Sequence, residues 1–306
     1  MKRSSGVFLV AAAVLTMLSA ACSKKQEATP VDGERAGWPD KLTIVLMPDE
    51  GNPGANTKNN DFVQSFTEFL GIDVEVLESF EYAVGLEALR AGRLDLLLVS
   101  PMSYYQAKRV ANIEPLVTTG TEGTIPYKTV FIVKSDRDDI NTVHDLKGKT
   151  FAFVDPASSS GYMFPKAKLI KDLGLDTEQI ENPGYFFKTV AYSGKHDSSV
   201  MGVVMGDYDG AAVALQIISQ VANAGLIKES DLKIIGETEI IPTACYVMRA
   251  DLPRNLKAKI KEFYLAYDDE EFFRALYQNP QNRFIEAFDS DYDVVYEMVQ
   301  LLKIEQ

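Results

Sequence analysis

Short apolar runs bounded by turn residues alternate along the chain with stretches in which apolar side chains recur every three or four positions. Leu42 to Met47 (LTIVLM) is a β-rich run ended by Pro48-Asp49-Glu50-Gly51, which predicts a buried strand entering a loop. Phe62, Phe66, Phe69 and Leu70 then share one face of a helix that should stop before Gly71. Ile72 to Leu77 (IDVEVL) predicts a second strand, Tyr82, Leu86 and Leu89 mark a second helix, and Leu94 to Val99 (LDLLLV) predicts another buried strand. Strand alternating with helix predicts an α/β fold of mixed, mostly parallel sheets flanked by helices.

The second half echoes the first. Thr43-Ile44-Val45-Leu46-Met47-Pro48-Asp49 is matched by Thr150-Phe151-Ala152-Phe153-Val154-Asp155-Pro156, and Gly92-Arg93-Leu94-Asp95 by Gly206-Asp207-Tyr208-Asp209, each between a helix and a strand. Cys245 to Arg249 (CYVMR) reads as a returning strand. Leu256, Ile260, Phe263 and Tyr267 mark an amphipathic helix after it, with helical stretches on to Leu302. The expected organisation is two lobes, 41–126 plus 248–306 and 127–247. The chain crosses between them twice, so a ligand cleft is expected between the lobes, where strand C-termini and helix N-termini converge.

The N-terminus has a different character. Lys2 and Arg3 precede an uncharged apolar run from Val7 to Leu18, followed by Ser19-Ala20-Ala21-Cys22. The run is shorter than the about 20 residues a membrane span needs, so 1–21 reads as an export signal. The pattern resembles a bacterial lipoprotein signal with Cys22 as the lipidated residue. It departs from the usual lipobox in placing Leu18 four residues before Cys22, and an ordinary secretory signal cut after Ala20 or Ala21 is the alternative. Residues 22–40 are polar, with two prolines and two glycines among 23–40, and read as a flexible tether.

Composition narrows the class further. The 306 residues are 46% hydrophobic and 25% charged with net charge −13, a soluble globular composition without the clustered Lys and Arg that hold nucleic-acid phosphates. A nucleic-acid partner is not expected. Without Cys22, Cys245 is the one cysteine left, so no intramolecular disulfide is expected; His144 and His196 show no zinc spacing, and no metal is expected. Gly148-Lys149-Thr150 fails as a P-loop because Val143 stands where its first glycine belongs and a strand follows. No G-x-S-x-G, no H-E-x-x-H and no base beside Cys245 appears, so neither an enzyme nor a cofactor is expected.

Asp155-Pro156-Ala157-Ser158-Ser159-Ser160-Gly161-Tyr162 lies between a predicted strand and a helix running to about Leu173. Three hydroxyls and the free N–H groups of a helix start form an anion cradle, although capping serines without a ligand explain the same residues. Tyr192-Ser193-Gly194-Lys195-His196-Asp197 precedes another helix, with Asp197 the expected N-cap, and puts a histidine donor at a helix start.

Taken together, the Tyr82 to Asp95 segment (YAVGLEALRAGRLD), Ser100-Pro101-Met102-Ser103-Tyr104, Tyr127-Lys128-Thr129-Val130, Asp145 to Tyr162, Gly194-Lys195-His196-Asp197 and Ile241-Pro242 resemble the phosphate, phosphite and phosphonate substrate-binding proteins of ABC importers. The resemblance covers about Lys41 to Pro253. It implies a two-lobed type II periplasmic-binding-protein fold outside the cytoplasm that captures a small oxyanion and delivers it to a membrane permease, the lipid on Cys22 supplying the membrane contact. A ligand-presenting subunit for a membrane receptor or kinase, or a different small oxyanion, is the alternative. By motif, the resemblance carries the oxyanion to Tyr82, Tyr127, Ser158, Ser159, Ser160 and His196. The middle serine replaces a common Thr and keeps the hydroxyl. Neutral donors and helix ends suit an acidic protein that must hold an anion. Members that take aminoalkylphosphonates carry carboxylates near positions where this chain has Gln216 and Ala244. No Asp or Glu occurs from 211 to 225 or from 240 to 250, which disfavours a ligand with an ammonium group.

Overall fold

The computed structural model describes residues 35–46, 53–77, 82–120 and 127–304. The expected signal 1–21, Cys22 and the tether up to residue 34 lie outside the described residues. The chain begins with β1 (Lys41–Val45), α1 (Pro53–Leu70), β2 (Asp73–Val76), α2 (Tyr82–Arg90), β3 (Leu96–Val99), α3 (Pro101–Val110) and β4 (Ile113–Gly120). The middle comprises β5 (Thr129–Lys134), β6 (Thr150–Phe153), α4 (Phe164–Leu173), β7 (Thr189–Tyr192), α5 (His196–Met205), β8 (Gly210–Ala214), α6 (Leu215–Asn223) and β9 (Leu232–Glu237). The chain closes with β10 (Cys245–Arg249), α7 (Arg254–Ala266), α8 (Glu270–Tyr277), β11 (Arg283–Glu286) and α9 (Asp293–Leu301).

Two sheets result, in the orders β11-β4-β10-β3-β1-β2 and β7-β6-β8-β5-β9. Without the edge strand β11 they share one plan, because β2-β1-β3-β10-β4 corresponds to β7-β6-β8-β5-β9. β1 pairs in parallel with β2 and β3, and β6 with β7 and β8. The exceptions are the crossing strands. β10 runs antiparallel to both β3 and β4, and β5 to both β8 and β9; each is the strand that enters its sheet from the other one. β10 belongs entirely to the first sheet, so the strand itself spans the position where the boundary between 247 and 248 was expected.

The echo in the sequence corresponds to a repeated fastening. Asp95 accepts from Thr43 N at 2.8 Å while its own N–H donates to Thr43 O at 2.8 Å, and Arg249 pairs with its carboxylate at 3.2 Å. Asp209 accepts from Thr150 N and Thr150 Oγ1, both at 2.8 Å, donates to Thr150 O at 3.0 Å, and pairs with Arg137. Thus Thr43 of β1 is bolted to the aspartate that leads into β3, and Thr150 of β6 to the aspartate that leads into β8. In the first lobe the bolt uses Asp95, and β3 starts at Leu96 rather than at the expected Leu94.

Gly71 lies in the left-handed region at φ 65° and returns its N–H to Thr67 O at 2.7 Å, closing α1 where the sequence predicts. Phe62 and Phe66 enter an aromatic core with Phe263, Tyr264, Phe272 and Phe284; Phe62 stacks on Phe272 at 5.2 Å and Phe66 on Phe263 at 4.6 Å. Phe69, on the same apolar stripe, is 42% exposed, flanking Phe263 with Lys259 Nζ 5.5 Å from its ring centroid. The C-terminal stretch is not wholly helical as expected: after Asn279-Pro280, Arg283–Glu286 pairs with β4 as an edge strand. α9 packs against α3 of the first lobe and α4 of the second.

Candidate functional site

β6 ends in the turn that carries the three serines, and its geometry follows from one proline. Residues Ser159–Met163 form a π-helical turn before α4, with Met163 N donating to Ser158 O at 3.1 Å. Pro165 has no N–H to give the Gly161 carbonyl one helical turn back. That carbonyl instead accepts from Val154 N at 2.9 Å, which docks the turn onto the end of β6. The close approach requires glycine: a Cβ on Gly161 would lie 2.4 Å from Val154 Cβ and 2.9 Å from Ser158 Oγ.

All three serines are buried, and each hydroxyl meets a different element. Ser158 Oγ accepts from Gly161 N at 3.0 Å and caps the turn. Ser159 Oγ accepts from Met102 N at 2.7 Å, across the cleft in the first turn of α3. Ser160 Oγ lies 2.8 Å from Tyr127 Oη and 3.3 Å from His196 Nε2. An amide feeding into Ser158 or Ser159 occupies an acceptor site and leaves the hydroxyl proton to be donated, so capping and anion binding are compatible in these two residues.

His196 is buried at the first residue of α5, and Ala214 N at the end of β8 donates to its Nδ1 at 3.2 Å. A nitrogen that accepts cannot carry a proton, so the ring is the neutral tautomer with its proton on Nε2, aimed at Ser160. Burial pushes its pKa down to about 4, which keeps the ring neutral at pH 7. The helix begins at His196 with Lys195 in the capping position. The expected N-cap, Asp197, lies inside the first turn, where its carboxylate accepts from Ser198 N at 2.6 Å.

Tyr127 stands just ahead of β5. Thr129 Oγ1 donates to Ser160 O at 2.6 Å, so the strand holds the serine's backbone while Tyr127 meets its side chain. Tyr82 is the first residue of α2, half-buried, on an element that packs against α3. The structure therefore brings Tyr127, Ser160 and His196 into one hydrogen-bonded chain and stacks Ser158 and Ser159 in the adjoining turn. The backbone carbonyl of Gln216 accepts from Ser219 and Gln278, and that of Ala244 from Thr118.

Sequence reasoning left the first lobe's contribution to this turn unassigned. Ser100 caps α3, accepting from Ser103 N at 3.2 Å, and the Ser100 and Ser103 hydroxyls lie 3.0 and 2.9 Å from the Ala157 carbonyl of the second lobe. With Met102 N on Ser159, the N-terminus of α3 meets the serine turn face to face. The usable signal was Ser100-Pro101 at a strand end, the N-cap and N1 signature of a helix start. The rejected P-loop residues lie elsewhere: Lys149 pairs with Asp139 and Thr150 opens a strand.

Two opposed helix starts and a row of neutral donors are groups able to hold an anion. The profile of the periplasmic phosphonate substrate-binding proteins of ABC transporters matches residues 44–292. The phosphate-import protein PhnD of Mycolicibacterium smegmatis is 28% identical over 258 residues, covering 83% of this chain and 79% of that protein. The phosphonates-binding periplasmic protein of Escherichia coli is 24% identical over 257 residues, covering 82% and 70%. Among solved structures, Prochlorococcus marinus PhnD1 in complex with methylphosphonate superposes with a TM-score of 0.74 at 20% identity, covering 87% of this chain and 99% of that one. A phosphonate-transporter binding component from Pseudomonas aeruginosa also gives 0.74, at 20% identity and 86% coverage of both chains. These likenesses extend to the whole two-lobed type II binding-protein fold, and the chain belongs to the periplasmic phosphonate substrate-binding protein family of ABC transporters.

Proposed function

We propose that the protein captures a small phosphorus oxyanion, namely phosphite, phosphate or an alkylphosphonate, between its lobes and hands it to an ABC permease. The observation that carries this reading is the Tyr127, Ser160 and His196 chain, in which the Ala214 amide commits the imidazole proton to Nε2. These donors bond to one another, and an oxyanion entering among them replaces those mutual bonds with charge-assisted ones, which are shorter and roughly twice as strong. Ser158 and Ser159 donate their remaining protons to the same ligand, and Tyr82 closes the site from the start of α2. Calorimetry and thermal shift with phosphate, phosphite, methylphosphonate and sulfate test the reading. At least one phosphorus oxyanion is expected to raise the melting temperature, and a panel without any binder would overturn it.

The tail of the ligand is uncharged in this reading. With no carboxylate from 211 to 225 or 240 to 250, an ammonium near Gln216 or Ala244 would be buried without a partner. Aminoethylphosphonate is expected to bind at least about tenfold more weakly than ethylphosphonate, a difference of about 1.4 kcal/mol. Equal or reversed affinities by calorimetry would refute the uncharged-tail assignment.

Lipid anchoring through Cys22 completes the proposal, since a tethered binding protein stays near its permease. Mass spectrometry of the mature N-terminus is expected to find a diacylglyceryl cysteine, and Cys22→Ala to release the protein from the membrane fraction. An unmodified N-terminus in the parent protein would exclude the anchor.

A further inference from the structure

Next to the serine turn, built on Tyr162 of the turn itself, lies a polar cluster that the binding reading does not use. Lys166 of α4 has a side chain only 7% exposed and pairs with Glu181, on the connection between α4 and β7. Tyr162 Oη donates to Glu181 Oε1 at 2.7 Å and accepts from Lys166 Nζ at 2.9 Å. The other carboxylate oxygen, Oε2, accepts from the Tyr192 hydroxyl. The two tyrosine rings lie 6.0 Å apart, and the Tyr162 ring meets Phe153 of β6 edge-on at 5.4 Å.

The positions of the two tyrosines give the cluster its meaning. Tyr162 follows Ser160-Gly161 in the serine turn; Tyr192 ends β7, immediately before the Ser193-Gly194-Lys195 loop that delivers His196. A single carboxylate thus ties the two segments whose side chains meet at Ser160 and His196. The front of the same junction is held by Gly161 O on Val154 N and by Ser193 N and Gly194 N on Phe153 O and Val154 O. Taking a lysine out of water is costly, and an apolar plug would fill the space with less penalty, so packing alone does not account for the cluster.

We propose that Glu181 is a positioning residue, which sets the spacing between Ser160 and His196 by holding the Tyr162 and Tyr192 hydroxyls on its two oxygens. The proposal rests on the anion-binding reading of that pair. The Ser160 to His196 distance of 3.3 Å is already at the long end of a hydrogen bond, so a shift of a few tenths of an ångström at either segment disconnects the donors. Glu181 is ionised at neutral pH: burial pushes its pKa up, but Lys166 and the two tyrosine hydroxyls together hold it below the usual carboxylate value. The carboxylate therefore accepts at both oxygens.

Two substitutions separate geometry from charge. Tyr192→Phe cuts the tie while removing one hydroxyl from a residue that is 44% exposed. Glu181→Gln keeps both ties, its amide oxygen accepting from Tyr162 and its NH2 donating to the Tyr192 oxygen, but leaves Lys166 without its charge partner. Phosphite and methylphosphonate are titrated into the full-length parent and both variants, and the His196 ring is followed by 15N NMR in the unliganded proteins. Tyr192→Phe is expected to melt close to the parent, to lose about tenfold in affinity and to shift the His196 Nε2 resonance. Glu181→Gln is expected to melt lower yet bind within about threefold of the parent. A purely structural cluster would instead lower melting temperature and affinity together. Tyr192→Phe with the parent's affinity and an unmoved His196 signal would overturn the proposal. If the parent binds none of phosphate, phosphite and methylphosphonate, the binding reading fails, and the resonance of the unliganded variant still decides whether Glu181 positions His196.

Discussion

Gly161→Ala is expected to lower the melting temperature by on the order of 10 °C and to abolish measurable ligand binding. The added methyl carbon would sit 2.4 Å from both Cβ and Cγ2 of Val154 and 2.9 Å from Ser158 Oγ, all at contacts that cannot open freely. Val154 is fully buried, and its amide holds the Gly161 carbonyl that Pro165 leaves unpartnered. Relief of the clash therefore breaks that bond and strands a buried amide and carbonyl. Overpacking costs about 1–3 kcal/mol and a buried unsatisfied polar group about 1–3 kcal/mol more. In a protein of this size each kcal/mol moves the midpoint by about 2–4 °C. The same displacement moves Ser158 and Ser160 together, so binding falls with stability. Calorimetric unfolding with and without ligand checks both effects. A variant that melts within about 2 °C of the parent and binds normally would show that the turn is not fastened through Gly161.

Ser160→Ala and His196→Gln are expected to weaken the best ligand of the panel by about tenfold to a hundredfold each, the loss of one charge-assisted hydrogen bond of about 1.5–3 kcal/mol. The two should be less than additive, because each removes the partner that orients the other. In Ser160→Ala the backbone carbonyl stays on Thr129, and the stability cost is the about 1–3 kcal/mol of taking the Ser160 acceptor from the buried His196 Nε2. His196 adds a pH signature. Its folded pKa of about 4 lies below the ordinary 6.5, so between these values the unfolded chain binds a proton that the folded chain does not. The contribution to stability is fully present above pH 6.5 and declines as pH falls toward 4. The unliganded parent is expected to lose melting temperature through that window, and His196→Gln to lose less. Identical slopes, together with unchanged affinities, would remove His196 from the site.

Much of the architecture is legible because its causes are local. The apolar runs and the helical stripe before Gly71 mark the alternation of strand and helix, and Thr43 with Asp95 against Thr150 with Asp209 carries the lobe repeat within the sequence. The run Asp155 to Tyr162 announces a turn rich in hydroxyls at a helix start. Element ends were less legible, since β3 yields Asp95 to a bolt with Thr43 on another strand and Arg283–Glu286 becomes a strand only because β4 offers an edge.

What the site can do was decided by tertiary structure. Nothing near His196 in the chain specifies its tautomer; the amide of Ala214, at the end of β8, does so from 18 residues away. The three serines look alike in sequence and acquire different partners from the turn itself, from α3 and from the Tyr127 and His196 pair. Ser100 and Ser103 read as an ordinary helix start and become an interlobe contact through the Ala157 carbonyl. The division has a single physical reason. Periodicity, caps and turn residues act within a few positions, so the sequence records them directly. The partner of a buried donor is whichever acceptor the packed sheets bring within about 3 Å, and that choice exists only once both lobes are folded.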